Sequence, residues 1–345
     1  MLRKGQQVFL DEDDHIYYNI RIQPSERGSM PARYSETRVQ PIIENPSHYE
    51  MAVVRFSVPM LNMPLMFFRD GSPANGWRPD QAYYVTLSFD GYDAQQQLVW
   101  LPNTNGALLY GKPAVWHYNE MLKYLNTALA AAFVDLKANK PLAPPTQSPF
   151  VTFDQDAGLF TLWAEQLYDS DGPPTATIYF NSELFRLFST LQIIGNFAEE
   201  RKENIILVRN RNNNSVTHLG QPYYQMAQES STLSLWGDLK SIQFQTSSIP
   251  VNPEYLPGQT NQVRRVITDF EPIDEAPSRS SVQYYPQGPL RYYSLNASTP
   301  LRQIDLDVVW IDRFNRTYPI YINREDQLTV KIAFRRIASV DERKE

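Results

Sequence analysis

Two stretches near the end of the chain alternate apolar and polar residues, and they restrict the fold more than anything else in the sequence. Ile304, Leu306, Val308 and Trp310 alternate with Gln303, Asp305 and Asp307. Likewise Leu328, Val330, Ile332 and Phe334 alternate with Thr329, Lys331 and Arg335. Successive side chains of a strand point to opposite faces, so each stretch predicts a strand with one face in a core and one polar. Composition extends the inference to the whole chain. Among 345 residues there are 21 Tyr, 26 Pro and 14 Gly, so strand-favouring aromatics abound while proline-fixed connections break up long helices. The expected class is mainly β, with strands packed as a sandwich.

Read from its start, the chain divides into four parts. Residues 1–47 predict an extended N-terminal arm. In it Val8-Phe9-Leu10 and Ile16–Ile22 are short strand candidates on either side of the acidic run Asp11-Glu12-Asp13-Asp14. The aromatic and β-branched content favours a docked arm, and removal of residues 1–40 is expected to weaken assembly while leaving the fold intact. Tyr49–Pro59 is apolar on both faces, as a central strand covered on both sides would be. Tyr83–Phe89 and Gln97–Leu101 predict a hairpin with a longer loop around Asp90-Gly91. Met121, Leu122, Leu125, Ala128, Leu129, Ala132, Phe133 and Leu136 fall at three- and four-residue steps, which predicts a helix over 117–137 ending before Pro141. Further strands are expected at 150–153, 159–163, 177–180 and 205–208, with Asn181 capping a short helix over 182–191. Strands return at 241–245, 265–270 and 282–285 before the final pair. This order is that of a Greek-key or jelly-roll β-sandwich carrying an insertion in one loop. The expected organisation is an arm at 1–47, a jelly-roll sandwich at 48–112 and 230–338, and an inserted α+β domain at 113–229.

The chemistry-bearing residues do not assemble into a site. The net charge of −6 opposes bulk nucleic-acid binding, although both ends are locally basic through Arg3, Lys4, Arg335, Arg336, Arg343 and Lys344. No specific nucleic-acid site is expected. The absence of cysteine removes disulfides, thiolate catalysis and cysteine-ligated metals. Met1–Gln7 lacks the apolar core of a signal peptide and no run reaches the length of a membrane span, which predicts a soluble chain made inside a cell. His15, His48, His117 and His218 do not stand at metal-ligand spacing, and the acidic run lacks the glycine and distal glutamate of a calcium loop. Nucleophile-elbow, phosphate-loop and dinucleotide fingerprints are absent. The sequence therefore predicts no catalytic, metal or cofactor-binding residue, and no cofactor. Asp305 and Asp307 share a strand face, a spacing that suits acid–base work; a salt bridge to a facing Lys or Arg is the expected outcome. Trp77, Tyr92, Trp116, Tyr223, Tyr224, Tyr284, Tyr285, Tyr292 and Tyr293 lie in or beside loops. Stacking on sugars, anchoring a protein interface and packing on the sandwich rim all fit them.

Four patches carry a resemblance. Glu44-Asn45-Pro46-Ser47-His48-Tyr49-Glu50-Met51-Ala52-Val53-Val54-Arg55-Phe56-Ser57-Val58-Pro59 resembles the first core strand of minor capsid (penton) proteins from virophages and polinton-like viruses. Thr268–Pro272, Gln283–Arg291, and Trp310–Ile320 with Leu328–Arg335 resemble later segments of that group. Together they cover about a seventh of the chain, near its two ends, and none lies in the middle block. The resemblance implies a jelly roll with an inserted domain, assembling five-fold to close the icosahedral vertices where major capsid hexamers meet. The implied partners are further copies of the chain, as a pentamer, and the major capsid protein. A host receptor or glycan is the implied partner of the projecting 113–229 insertion. The implied place is the virion, at the capsid vertex, after synthesis and assembly inside the host cell. On this reading Arg3, Lys4, Phe9, Tyr17, Tyr18, Arg335 and Arg336 are the candidate assembly contacts. The competing readings are another virion component, such as a cement or small major capsid protein, and a carbohydrate-binding attachment module. An enzyme using Asp305 and Asp307 comes last.

Overall fold

The computed structural model describes residues 15–24, 28–102, 108–143, 145–171, 176–199, 202–209, 216–218, 220–255, 263–271 and 281–337. Arg3, Lys4, Phe9, the Val8–Leu10 strand candidate, the acidic run, Arg343, Lys344 and most of the polar 209–215 loop lie outside them. The chain divides into two compact units, Met1–Met63 with Leu239–Glu345, and Pro64–Asp238.

In the first unit, eight principal antiparallel strands form two sheets. They are His15–Ile22, Arg33–Thr37, Tyr49–Pro59, Leu239–Thr246, Val263–Phe270, Ser281–Tyr284, Gln303–Asp312 and Leu328–Arg336. Counted along the chain, they stand in the order 1-8-3-6 in one sheet and 2-7-4-5 in the other. Every connection except the one between the fourth and fifth strands crosses from sheet to sheet, which is jelly-roll topology. The alternating rows explain the pairing. Tyr18, Ile20 and Ile22 turn inward beside Ile332, Val330 and Leu328, all buried, while Tyr17, Asn19 and Arg21 turn outward. Ile304, Leu306 and Val308 of the seventh strand, in the other sheet, are also buried. Phe56 joins the layers: its ring centroid lies 4.6 Å from Phe244, 5.5 Å from Phe270 and 5.2 Å from Tyr284.

The described part of the arm is extended, and it docks on the chain's own sandwich. Its two strands are integral to the two sheets, so cutting residues 1–40 would remove a strand from each. The two edges are also tied together, because Tyr18 and Tyr34 both donate hydroxyl hydrogens to Glu36. Arg38 completes the cluster with a 2.9 Å ion pair to the same carboxylate.

The second unit builds on a five-stranded sheet ordered Ile193–Glu199, Lys202–Ile206, Thr177–Phe180, Tyr84–Phe89 and Tyr92–Gln97. The helix Tyr118–Asn139 packs against the last two strands and Phe150–Asp154 through the predicted stripe, with Met121, Leu125, Ala128, Leu129, Ala132 and Leu136 buried. The 84–97 hairpin, assigned to the sandwich from its sequence pattern, pairs here with Thr177–Phe180. Its turn is tighter than expected: Phe89 pairs with Tyr92, and Asp90 and Gly91 adopt φ of 48° and 73°. Positive φ at both central residues marks the two-residue hairpin turn that matches strand twist. A second sheet orders Val216–His218, Gln221–Ala227, Leu159–Glu165 and Phe150–Asp154. Phe160, Phe188, Trp236 and Tyr118 form an aromatic cluster in the core. Asn181 caps the short helix Ser182–Phe185 and also accepts the Tyr84 amide at 3.0 Å, tying helix start to sheet. At the ends of this unit, Asp238 accepts the Phe67 amide at 2.6 Å and donates its own amide to the Leu65 carbonyl at 3.1 Å. The first and last residues of the unit are thereby held together.

Candidate assembly surfaces

Alternation that buries Tyr18, Ile20 and Ile22 necessarily projects their neighbours onto the outer face of the first sheet. Strand register sets the rows of that face. His15, Arg335 and Glu50 share one row; Tyr17, Ala333 and Ala52 the next; Asn19, Lys331 and Arg55 the third; Arg21, Thr329 and Ser57 the fourth. A bulge between Lys331 and Ile332 lets Arg55 and Val53 pair on either side of it, with Val54 extra. Cations and rings interleave here. Lys331 Nζ lies 4.3 Å from the Tyr17 ring centroid and the Arg335 guanidinium lies 3.8 Å from that of Tyr292. Arg335 also pairs with Glu50 at 2.7 Å, and the Tyr292 hydroxyl stands 3.3 Å from His15 Nε2. Burial, the largest influence, raises the Tyr292 pKa against the lowering effect of Arg335. The first strand is the edge of this sheet, with no partner on its outer side among the described residues.

The candidate contacts divide accordingly. Tyr17 is 51% exposed on the outer face, whereas Tyr18 is buried and turned into the sandwich. Arg335 lies on the outer face in the Glu50–Tyr292 cluster, and Arg336 is exposed at the end of the last strand. Arg55 and Arg21, both exposed, escaped the sequence reading because their place in the rows depends on strands hundreds of residues apart.

The paired carboxylates have structural work. Asp305 accepts from the hydroxyls of Thr246 (2.8 Å), Ser247 (2.6 Å) and Ser248, and from the amides of Ser247 and Ser248. Burial raises its pKa, but these hydrogen bonds outweigh burial and hold the carboxyl well below the usual range. Asp307 meets the expected cation, Arg33, at 3.3 Å. Asp154 caps its own hairpin turn by accepting the amides of Asp156 and Ala157. His48 and His117 are exposed, at a 3₁₀ turn and at the start of the long helix. The His218 side chain lies outside the described residues. Among the described residues no group of three or more His, Asp or Glu is placed to hold a metal ion, and no helix is long and apolar enough to cross a membrane.

Three of the nine loop aromatics turn out to be core. Trp77, Tyr223 and Tyr224 are buried, and of the nine only Tyr285 is more than half exposed. A different pair is presented by the second unit. Phe150 and Trp163 stack at 5.8 Å with planes 7° apart on adjacent strands, beside Thr152, which accepts the indole N–H at 2.9 Å. Both rings are half-buried.

The profile of the Sputnik minor capsid protein V18/19 family matches residues 16–336. The chain is 28% identical over 205 residues to structural protein V19 of Sputnik virophage, covering 53% of this chain and 91% of that protein. It is 30% identical over 145 residues to the uncharacterized protein V18 of the same virophage, covering 37% of this chain and 87% of V18. In structure it is similar to a chain of the Sputnik virophage solved by cryo-electron microscopy, with a TM-score of 0.80, 26% identity, and coverage of 94% of this chain and 99% of that one. The mavirus penton protein shares its fold at a TM-score of 0.70 and 15% identity, with the same coverage. With a jelly-roll sheet order and a family profile that spans nearly all of its length, the chain belongs to the Sputnik minor capsid protein V18/19 family.

Proposed function

We propose that the chain closes the five-fold vertices of an icosahedral shell as a homopentamer that contacts major capsid hexamers. The observation that carries this reading is a complete jelly roll within one chain whose fold, over 94% of its length, is that of the mavirus penton protein. A ring of identical units needs heterologous contacts, in which one surface of a copy meets a different surface of the next. The open edge of His15–Ile22 and the segment preceding it are the parts of the chain that serve this purpose. Mass measurement of the purified chain with and without residues 1–14 tests the proposal. Pentamers are expected for the full chain and weaker association for the shortened one. A full chain that stays monomeric in the presence of major capsid protein overturns it.

The 64–238 unit is, on this reading, the loop insertion, and the Phe150–Trp163 stack favours a receptor or glycan contact there. Loss of host-cell attachment on Trp163→Ala supports that role; unchanged attachment removes it. The chain is read as non-catalytic because Asp305 and Asp307, its one candidate acid–base pair, are taken up by Thr246, Ser247, Ser248 and Arg33. A turnover abolished by Asp305→Asn in a folded chain would overturn that.

A further inference from the structure

Lys331 and Arg55 are register partners on the outer face of the first sheet, so two like charges stand directly opposite each other. Such a pair is destabilising in a sheet unless an anion lies against it. The adjoining rows, Tyr17–Ala333–Ala52 and Arg21–Thr329–Ser57, contain no carboxylate, and Arg21 adds a third cation. Glu50, the acid of this face, is bound to Arg335. A chain of net charge −6 has thus gathered three cations on one sheet face with no counter-charge in their rows. Its one run of four consecutive acids, Asp11-Glu12-Asp13-Asp14, immediately precedes the edge strand of that same sheet.

We propose that Arg21, Arg55 and Lys331 of one copy form the docking site for the acidic run Asp11–Asp14 of a second copy. The inference rests on self-assembly through the segment preceding the edge strand. Chain length keeps most of the copy's own run away from the site. Along the strand, Arg21 is six residues from His15, about 20 Å. Asp11 is four residues from His15 in the other direction and reaches at most about 14 Å from it, while Asp14 reaches about 4 Å. In cis only the far end of the run approaches the cations, and then by reversing on itself at once. A run arriving from another copy meets no such limit. A protein carboxylate segment also suits three cations better than nucleic acid does, since phosphate backbones need a larger cationic footprint to displace counterions.

Two readouts on the full chain test this. Sedimentation at about 50 mM salt should show association weakened about tenfold by Arg55→Glu with Lys331→Glu. Adding Asp11→Lys, Glu12→Lys, Asp13→Lys and Asp14→Lys should restore it to within about threefold, since the charges are exchanged. Independently, a fluorescent peptide of residues 1–14 should bind the full chain in anisotropy, and the Arg55/Lys331 double variant about tenfold more weakly. Near-ultraviolet circular dichroism confirms that the variants are folded. Association and peptide binding both indifferent to the reversals overturn the proposal. So does binding of a single-stranded oligonucleotide that Arg55/Lys331 reversal abolishes while association is unchanged. A full chain that associates through Arg55 and Lys331, but not as a pentamer, keeps the docking site and sinks the pentamer reading.

Discussion

Phe56→Ala measures how much of the jelly roll hangs on one ring. Phe56 is 3% exposed and contacts Phe244 and Phe270 on the opposite sheet and Tyr284 beside it. Burying about 200 Å² at about 25 cal/mol/Å² gives an upper figure of about 5 kcal/mol for the side chain, of which alanine keeps a part. Phe→Ala substitutions in cores cost about 3–5 kcal/mol, and three ring contacts beyond simple burial put this site at the upper end, about 4 kcal/mol. For a unit of this size that is a fall in melting temperature of about 8–16 °C. Trp310 is the one tryptophan of the Met1–Met63 and Leu239–Glu345 unit, the other five falling at 77, 100, 116, 163 and 236. Its 5-fluorotryptophan resonance, followed by ¹⁹F NMR through a urea titration, therefore reports unfolding of the jelly roll separately. Phe56→Leu, which keeps most of the volume, should cost about 1–1.5 kcal/mol. A loss below about 1 kcal/mol for Phe56→Ala, or equal losses for the two variants, would refute the layer-joining role.

Glu36 has a pKa lowered to about 2, chiefly by the hydroxyls of Tyr18 and Tyr34 and then by Arg38. Its stabilisation should be fully present above the unfolded-state value of about 4.3 and be lost as pH falls toward 2. Glu36→Gln should flatten that part of the stability–pH curve, and an unchanged slope would count against the cluster. Asp305→Ala strands the donors of Thr246, Ser247 and Ser248 and should cost about 2–3 kcal/mol in urea unfolding. Gly91→Ala forces a Cβ onto φ of +73° in open space and should cost about 1 kcal/mol from backbone strain alone. Deleting residues 1–14 should leave the Trp310 transition where it is. Deleting 1–24 removes Tyr18, Ile20 and Ile22 from the core at about 1.5–3 kcal/mol each, enough to abolish the jelly-roll transition.

The strands most legible in the sequence are those with one wet face. Gln303–Asp312 and Leu328–Arg336 alternate because their outer residues meet solvent or polar partners, and the helix stripe at 118–139 is legible for the same reason. Tyr92–Gln97 was missed because only Ala94 of its six side chains is buried, so no apolar row announces it. Assigning 84–97 to the sandwich failed at the level of partners: the strand was visible, but its neighbour Thr177–Phe180 lies nearly ninety residues on. The assembly contacts were harder still. Composition pointed to Tyr17 and Tyr18 together, yet strand parity sends one outward and buries the other. Lys331 and Arg55 become neighbours only through a bulge in a pairing that joins the two ends of the chain.

That pairing has a consequence for the chain as it is made. Ile16 meets Phe334, so the opening strand has no paired neighbour until nearly the whole polypeptide has emerged. At about 5–20 residues per second, the opening strand waits on the order of 15–60 s for its partner. The Pro64–Asp238 unit is contiguous and suffers no such delay. During synthesis, then, the middle of the chain is the first part able to become a folded body, while the strands destined for the jelly roll stay incomplete around it. Newly made chains are at their stickiest in that interval, when the row Tyr18, Ile20 and Ile22 has no sheet to join.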